Sequence, residues 1–445
     1  MQNTLSNQKT NSLNRSVYAF SKVTPVEKSG ALGTITKSCS NQATQGFQKD
    51  DSKAQAKEYR KMTIALKERA GELLYNKKEL KQNRVCGCGK HRIDKELPVG
   101  MTYNQKTGLA GYDNLQYCGS VWVCPDCSYK ISQERKTELA EAMKTCRTKG
   151  LQVLMLTLTV PHYAGDDLRD LLKKMSSAKH AFWTNRNSRN YLSEQFPLVG
   201  HITATEVKFN DRNGFHPHYH ILCFSEQNFK QEDIDLIQDE LYEFWAEKCV
   251  KHGLGKPSKE HGLHIKIGSN EDMLADYVSK WGLASEMTQA HQKIGKKNKD
   301  SLTMWEVLEL STMEASTHDK YGRVFKKYAQ AFKGRAQLFW SKGLKDLLIK
   351  ALTKEEEEEK AKNEAEEYAQ FLDDNPLVLS IHEKDWWSVC YHRKRAELLD
   401  LIELDYRING LNTNLEMTKK FILSLKKPQG FSGVEGKNFP TPMNF

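Results

Sequence analysis

The run Asn210-Asp-Arg-Asn-Gly-Phe-His-Pro-His-Tyr-His-Ile-Leu222 constrains this chain more than any other stretch. Asn213-Gly214 is a strong hairpin signal, because both residues accept the positive φ that a tight turn between twisted strands demands. Gly200–Phe209 and residues 216–224 read as the strands it joins. Side chains alternate along a strand, so His218 and His220 point to one face and Tyr219 to the core. Two imidazoles about 7 Å apart on one rigid strand can grip one divalent ion. A hairpin symmetric about Arg212 sets Glu206 opposite His218, with Cβ atoms about 5 Å apart, so Glu206 is the third candidate ligand. A slip of one residue would turn it to the other face.

The flanks supply the rest of a sheet. Leu151–Val160 reads as a mostly buried strand with Thr157 and Thr159 on one face. Asp166–Gln195 and Gln231–Val250 carry apolar residues at helical spacing, and His264–Gly268 is a short strand. A helix over Glu271–Leu283 contains Asp276-Tyr277-Val278-Ser279-Lys280-Trp281. Tyr277 and Lys280 are three apart and share a helical face. Strand, helix, hairpin, helix, strand, helix predicts an α+β fold: a central antiparallel sheet in the ferredoxin-like layout, with helices on one face. On such a sheet a divalent ion acts as a Lewis acid on a phosphodiester, with Tyr277 the candidate nucleophile and Lys280 the nearby cation. Imidazole ligands suit Mn²⁺ better than Mg²⁺, while abundance favours Mg²⁺.

Five of the ten cysteines cluster at Cys86, Cys88, Cys118, Cys124 and Cys127. Cys124-Pro-Asp-Cys127 is a knuckle able to hold Zn²⁺, and a second pair upstream completes a tetrahedron. Cys88, Cys118, Cys124 and Cys127 form one possible set, and Cys86, Cys88, Cys124 and Cys127 another; His91 is a further substitute. Four thiolates leave no open position, so the expected role is structural. The other five cysteines read as small apolar residues.

The net charge is +10, although residues 354–374 alone carry −7, which leaves +17 elsewhere. This balance favours a polyanionic partner. No apolar run reaches membrane-spanning length, and the polar N-terminus lacks a signal-peptide core, so a cytoplasmic protein with no membrane partner is expected. The expected divisions are a disordered polar tail at 1–55, a helix with the zinc-knuckle module at 56–150 and the catalytic domain at 151–283. A basic part with possible DNA contacts at 284–350, an acidic linker at 351–375 and a helical C-terminal extension with a loose tail at 376–445 follow.

Leu156-Thr157-Leu158-Thr159, His216-Pro217-His218-Tyr219-His220 and Tyr277-Val278-Ser279-Lys280 resemble the three ordered motifs of HUH endonucleases, closest to the rolling-circle plasmid replication initiators. The resemblance extends to the knuckle region and the Lys333–Gly343 segment, so it covers roughly residues 84–350. It implies nicking of one strand at a plasmid double-strand origin, whose nick site is single-stranded. His218 and His220 correspond to the metal pair, Tyr277 to the nucleophile that is left on the 5′-phosphate, and Lys280 to its supporting lysine. It also implies a host helicase, a DNA polymerase and a single-strand-binding protein as partners. Where some relatives place a water-activating Glu four residues before the tyrosine, this chain has Met273. An HUH transposase or mobilisation relaxase, and a non-catalytic zinc-containing DNA-binding regulator, are the competing expectations.

Overall fold

The computed structural model describes residues 49–269, 277, 301–313, 319–349 and 354–425. Its contacts divide the chain into two units, Met1–Ser120 with Leu352–Phe445, and Val121–Ala351. In chain order the first unit supplies α1 (Lys49–Leu74), a 3-10 turn at Arg84–Gly87, β1 (Val99–Asn104) and β2 (Leu109–Asp113). The second supplies α2 (Pro125–Thr148), β3 (Gln152–Thr159), α3 (Leu168–Thr184), α4 (Arg186–Gln195), β4 (Gly200–Asn210) and β5 (Gly214–Ser225). It continues with α5 (Gln231–Lys251), β6 (Leu263–Ile267), α6 (Met304–Met313), α7 (Lys320–Phe332), β7 (Leu338–Trp340) and α8 (Leu344–Leu348). The chain then returns to the first unit with α9 (Lys354–Asp374), β8 (Leu377–Ile381), α10 (Glu383–Tyr391), α11 (Arg395–Asn409) and α12 (Glu416–Ser424). Among the described residues no helix is long and apolar enough to cross a membrane.

The first unit is made from both ends of the sequence. β1 pairs with β2 on one side and β8 on the other, all antiparallel, with Val99 opposite Ile381. Sequence reading sets 56–150 and 376–445 apart; here the part of the first up to Ser120 shares one core with the second, while α2 packs in the other unit. Trp386 and Trp387 are buried among Val99, Met101, Tyr112, Leu398 and Ile402, and the Trp386 indole donates to the Lys90 carbonyl at 2.7 Å. A two-stranded ribbon is marginal alone, and the third strand with its helices supplies the apolar cover it lacks. Ion pairs lock the join: Arg60 reaches Glu403 at 2.6 Å and Asp400 at 2.7 Å, and buried Arg395 bonds Glu68 at 2.9 Å and the Gly89 carbonyl at 2.8 Å.

The second unit is built on one antiparallel sheet with order β6-β3-β5-β4-β7. Omitting the short edge strand β7, this is the interleaved order of a βαββαβ chain. Alternation gives the sheet two different faces. Leu154, Leu156, Leu158, Tyr219, Ile221 and Cys223 pack against α3 and α5. Met155, Ile202, Ala204, Leu222 and Phe224 pack against α2, α8 and Tyr277. The expectation of helices on one face is thus corrected: both faces carry helices. The second layer covers the end of β5 at Leu222 and Phe224, while His216, His218 and His220, on the same face, border an open cleft. The single helix expected over Asp166–Gln195 is two, because Asn185 leaves the helical region and its side chain caps α4 by accepting from the Asn187 amide.

Candidate metal centre and nucleic-acid cleft

The β4–β5 register pairs Asn210 with Gly214 and Glu206 with His218. Ligand atoms of Glu206, His218 and His220 all lie within 4.8 Å of one another. His220 Nε2 is 2.8 Å from Glu206 Oε2, and its Nδ1 is 3.3 Å from Thr157 Oγ1. Thr157 sits opposite His220 on β3, and Thr159 opposite His218. Lys208 Nζ stands 3.3 Å from Glu206 Oε1.

Burial alone would raise the Glu206 carboxyl, but the His220 hydrogen bond and the Lys208 charge bring it down to about 2. Burial, with the neighbouring His216, holds His218 down to about 3. An ionised carboxylate beside a neutral imidazole is the protonation state in which both bind a cation. His218 Nδ1 is buried and has no hydrogen-bond partner among the described residues. Such an orphan costs about 1–3 kcal/mol, and a bound cation or the rearrangement it brings would relieve it. Metal–ligand bonds near 2.1 Å put donors roughly 3–4 Å apart, so the three residues fit one divalent ion. With Nε2 on a metal, the Nδ1 proton of His220 would be held by Thr157.

Around this group opens a cleft of about 910 Å³ lined by His162, His216, Lys208, Lys256, His261 and Lys266, among others. His162 stacks on His216 with ring centroids 4.1 Å apart. Of these residues only His216 belongs to a motif visible in the sequence. Lys208 shares the face of Glu206 at a spacing of two, a signal that alternation could have used.

Tyr277 lies on the same sheet face as the histidines but does not line the cleft. It is fully buried, and its hydroxyl donates to the Ile202 carbonyl at 3.2 Å. Burial raises the phenol pKa well above its ordinary range. The structure therefore brings Glu206, His218 and His220 together without bringing the Tyr277 hydroxyl into their cleft. Lys280 and Met273, and the basic loop Lys293–Lys299, fall outside the described residues.

The sulfurs of Cys88, Cys118, Cys124 and Cys127, all buried, also lie within 4.8 Å of one another. None is in a disulfide. The Cys118 amide donates to Cys88 Sγ at 3.4 Å, and the Ser120 amide to Cys118 Sγ at 3.4 Å. α2 begins at Pro125, so Cys124 stands at its N-cap position and Cys127 occupies its first turn, where the helix dipole favours thiolate. Tetrahedral Zn²⁺ with bonds of about 2.3 Å needs sulfurs roughly 3.8 Å apart, which this set fits. Cys86 stands outside it, with its thiol donating to the Gly71 carbonyl at 3.3 Å. His91 is not in the set either, its ring lying 5.5 Å from Trp387.

Residues 112–252 match the family described as Replication protein. A "Protein rep" of Streptomyces lividans is 23% identical over 53% of this chain and 64% of its own length. A "Protein rep" of Lentilactobacillus hilgardii is 25% identical over 28% of this chain and 38% of its own. A "Neomycin resistance protein" of Streptomyces cyanogenus is 27% identical over 26% of this chain and 32% of its own. The chain thus spans under two thirds of each of these relatives. No solved structure matches. The segment that resembles this family contains the β4–β5 hairpin and the Cys124–Cys127 knuckle.

Proposed function

We propose that the chain is a plasmid rolling-circle replication initiator, an HUH-type nickase and strand transferase for DNA. The observation that carries this reading is the convergence of Glu206, His218 and His220 in a cleft edged with lysines, within a replication-protein segment. Glu206, His218 and His220 would hold one Mn²⁺ or Mg²⁺, which supplies Lewis-acid polarisation of a phosphodiester. Cys88, Cys118, Cys124 and Cys127 would hold a structural Zn²⁺. Lys208, Lys256 and Lys266 attract the strand, and the cleft excludes part of the surrounding water. The Tyr277 oxygen attacks phosphorus, a P–O bond to tyrosine forms, and the P–O3′ bond breaks. The phenol loses its proton to solvent and the leaving oxygen gains one as a 3′-hydroxyl, which serves as primer. Because the phosphodiester is exchanged for a phosphotyrosine, the step is reversible and permits rejoining.

This chemistry requires Tyr277 to leave the Ile202 carbonyl. Ile202 is two positions along β4 from Ala204, the partner of His220. That is roughly 7 Å of strand, about the reach of one tyrosine side chain. Origin DNA is the substrate in this reading, and a helicase, polymerase and single-strand-binding protein of the host complete the reaction sequence.

The test is incubation with Mn²⁺ and single-stranded oligonucleotides tiled across the encoding replicon, followed by a denaturing gel. A slower band that disappears in Tyr277→Phe is expected. The buried phenol favours a second reading, a regulator that binds DNA without cutting it, and the absence of any such band would select it. Cleavage confined to a transfer origin or a transposon end would instead mark a relaxase or a transposase.

A further inference from the structure

The cleft accounts for the strand that would be cut, but the second unit also carries a concentrated positive charge on α7. From Lys320 to Lys345 the sequence has eight lysines and arginines and no acid. At 100° per residue, Lys320, Arg323, Lys326, Lys327 and Lys333 fall within one arc of about 140° on α7 and its C-cap. All five are exposed. The opposite side is apolar: Phe325, Tyr328, Ala329 and Phe332 are buried. Trp122 packs on Phe332 with centroids 4.3 Å apart, and its indole donates to the Arg335 carbonyl at 2.7 Å. The charged side is therefore presented by a helix fixed from behind.

Lys320 is neutralised by Asp211 at 2.7 Å. Arg323, Lys326, Lys327 and Lys333 have no acidic partner among the described residues, whereas Lys174, Lys256, Lys259 and Lys345 each have one. Four like charges on little more than three turns repel one another, so the free protein holds them at a cost that a polyanion removes. The shape of that polyanion follows from what the face lacks. Single strands are held by stacking bases on exposed aromatic rings. The aromatic rings behind this face are buried, and Tyr321 is half-buried with its hydroxyl on Asp211 at 3.2 Å. A straight row of cations without stacking surfaces suits the regular backbone of a duplex. Its position suits this too. Lys320 and Tyr321 touch Asp211 in the β4–β5 turn, and Asn213 of that turn lines the cleft.

We propose that the outer face of α7 binds the phosphate backbone of duplex DNA adjoining the strand in the cleft, so that holding and cutting are done by separate surfaces. The identity of the polyanion as DNA rests on the function proposed above. The test compares the full-length protein with a variant carrying Arg323→Gln, Lys326→Gln, Lys327→Gln and Lys333→Gln, all surface changes, with the thermal midpoint as folding control. Both are titrated with a mixed-sequence 30-base-pair duplex and with a 20-nucleotide single strand over 50–200 mM salt. Four lost phosphate contacts lower the slope of log K against log salt by about 3.6, so the two proteins differ by roughly 100-fold more at 50 mM than at 200 mM. Single-strand affinity and the Tyr277 adduct are retained. Unchanged duplex affinity and slope would overturn the proposal, as would an equal loss on the single strand or wild-type binding of an acidic protein but not of duplex. If no adduct forms with either protein while the duplex slope still falls, the cutting role fails and the α7 surface stands.

Discussion

The two candidate ligand sets of this chain differ in the way that structural and catalytic metal sites differ. The cysteine set is four soft sulfurs, all buried and close enough for one tetrahedron, with no position left over. The Glu206, His218 and His220 set has three hard or borderline donors at the edge of a cleft of about 910 Å³. A closed shell contributes folding energy, whereas an unfilled one leaves room for substrate oxygen. The comparison teaches that coordination left incomplete beside open space is the better sign of reactivity.

The largest expected effect falls on the closed set. Cys124→Ser with Cys127→Ser removes two of four thiolates, and structural zinc is worth on the order of 10 kcal/mol. Loss of bound zinc and of a cooperative thermal transition is expected; a variant that melts like the wild type would erase the distinction between the two sets. Next comes His220→Ala, expected to reduce adduct formation by about 100-fold or more while leaving the thermal midpoint of the metal-free protein within a few degrees. Equal damage to folding would make the open set structural as well. Thr157→Val is smaller: removing the group that holds His220 Nδ1 lowers Mn²⁺ affinity by about 10–100-fold, measurable by calorimetry. The smallest effect is on pH dependence. His218 and His216 are depressed to about 3 and 4 from an ordinary 6.5, so the unfolded chain binds more protons between those values. Metal-free protein therefore loses stability as pH falls from about 6.5 toward 4, and divalent ion should flatten that slope. A thermal midpoint independent of pH in this window would place both rings in solvent.

What the sequence made legible was local. The loop Asp211–Asn213, centred on Arg212 and closed by Gly214 at positive φ, fixes the hairpin register within fifteen residues, and the opposition of Glu206 and His218 follows by counting. The short spacing of Cys124 and Cys127 likewise needs no tertiary knowledge. What stayed hidden depends on distant packing. Leu377–Ile381 joins a sheet whose other strands end at Asp113, and nothing near either segment announces the other. The hydroxyl of Tyr277 could not be placed, because its neighbours Ile202 and Leu222 come from other strands and a helical face says only which way a side chain begins. The break at Asn185 was missed because apolar spacing continues through it while one capping side chain ends the helix.

The return of β8 to β1 also sets an order of events at the ribosome. Roughly 260 residues, including the whole of the second unit, are translated between β2 and β8. At about 5–20 residues per second the early hairpin waits some 13–50 s for its third strand. The interrupted unit is thus finished after the one inserted into it, and a chain released early would carry a sheet edge still open to the wrong neighbour.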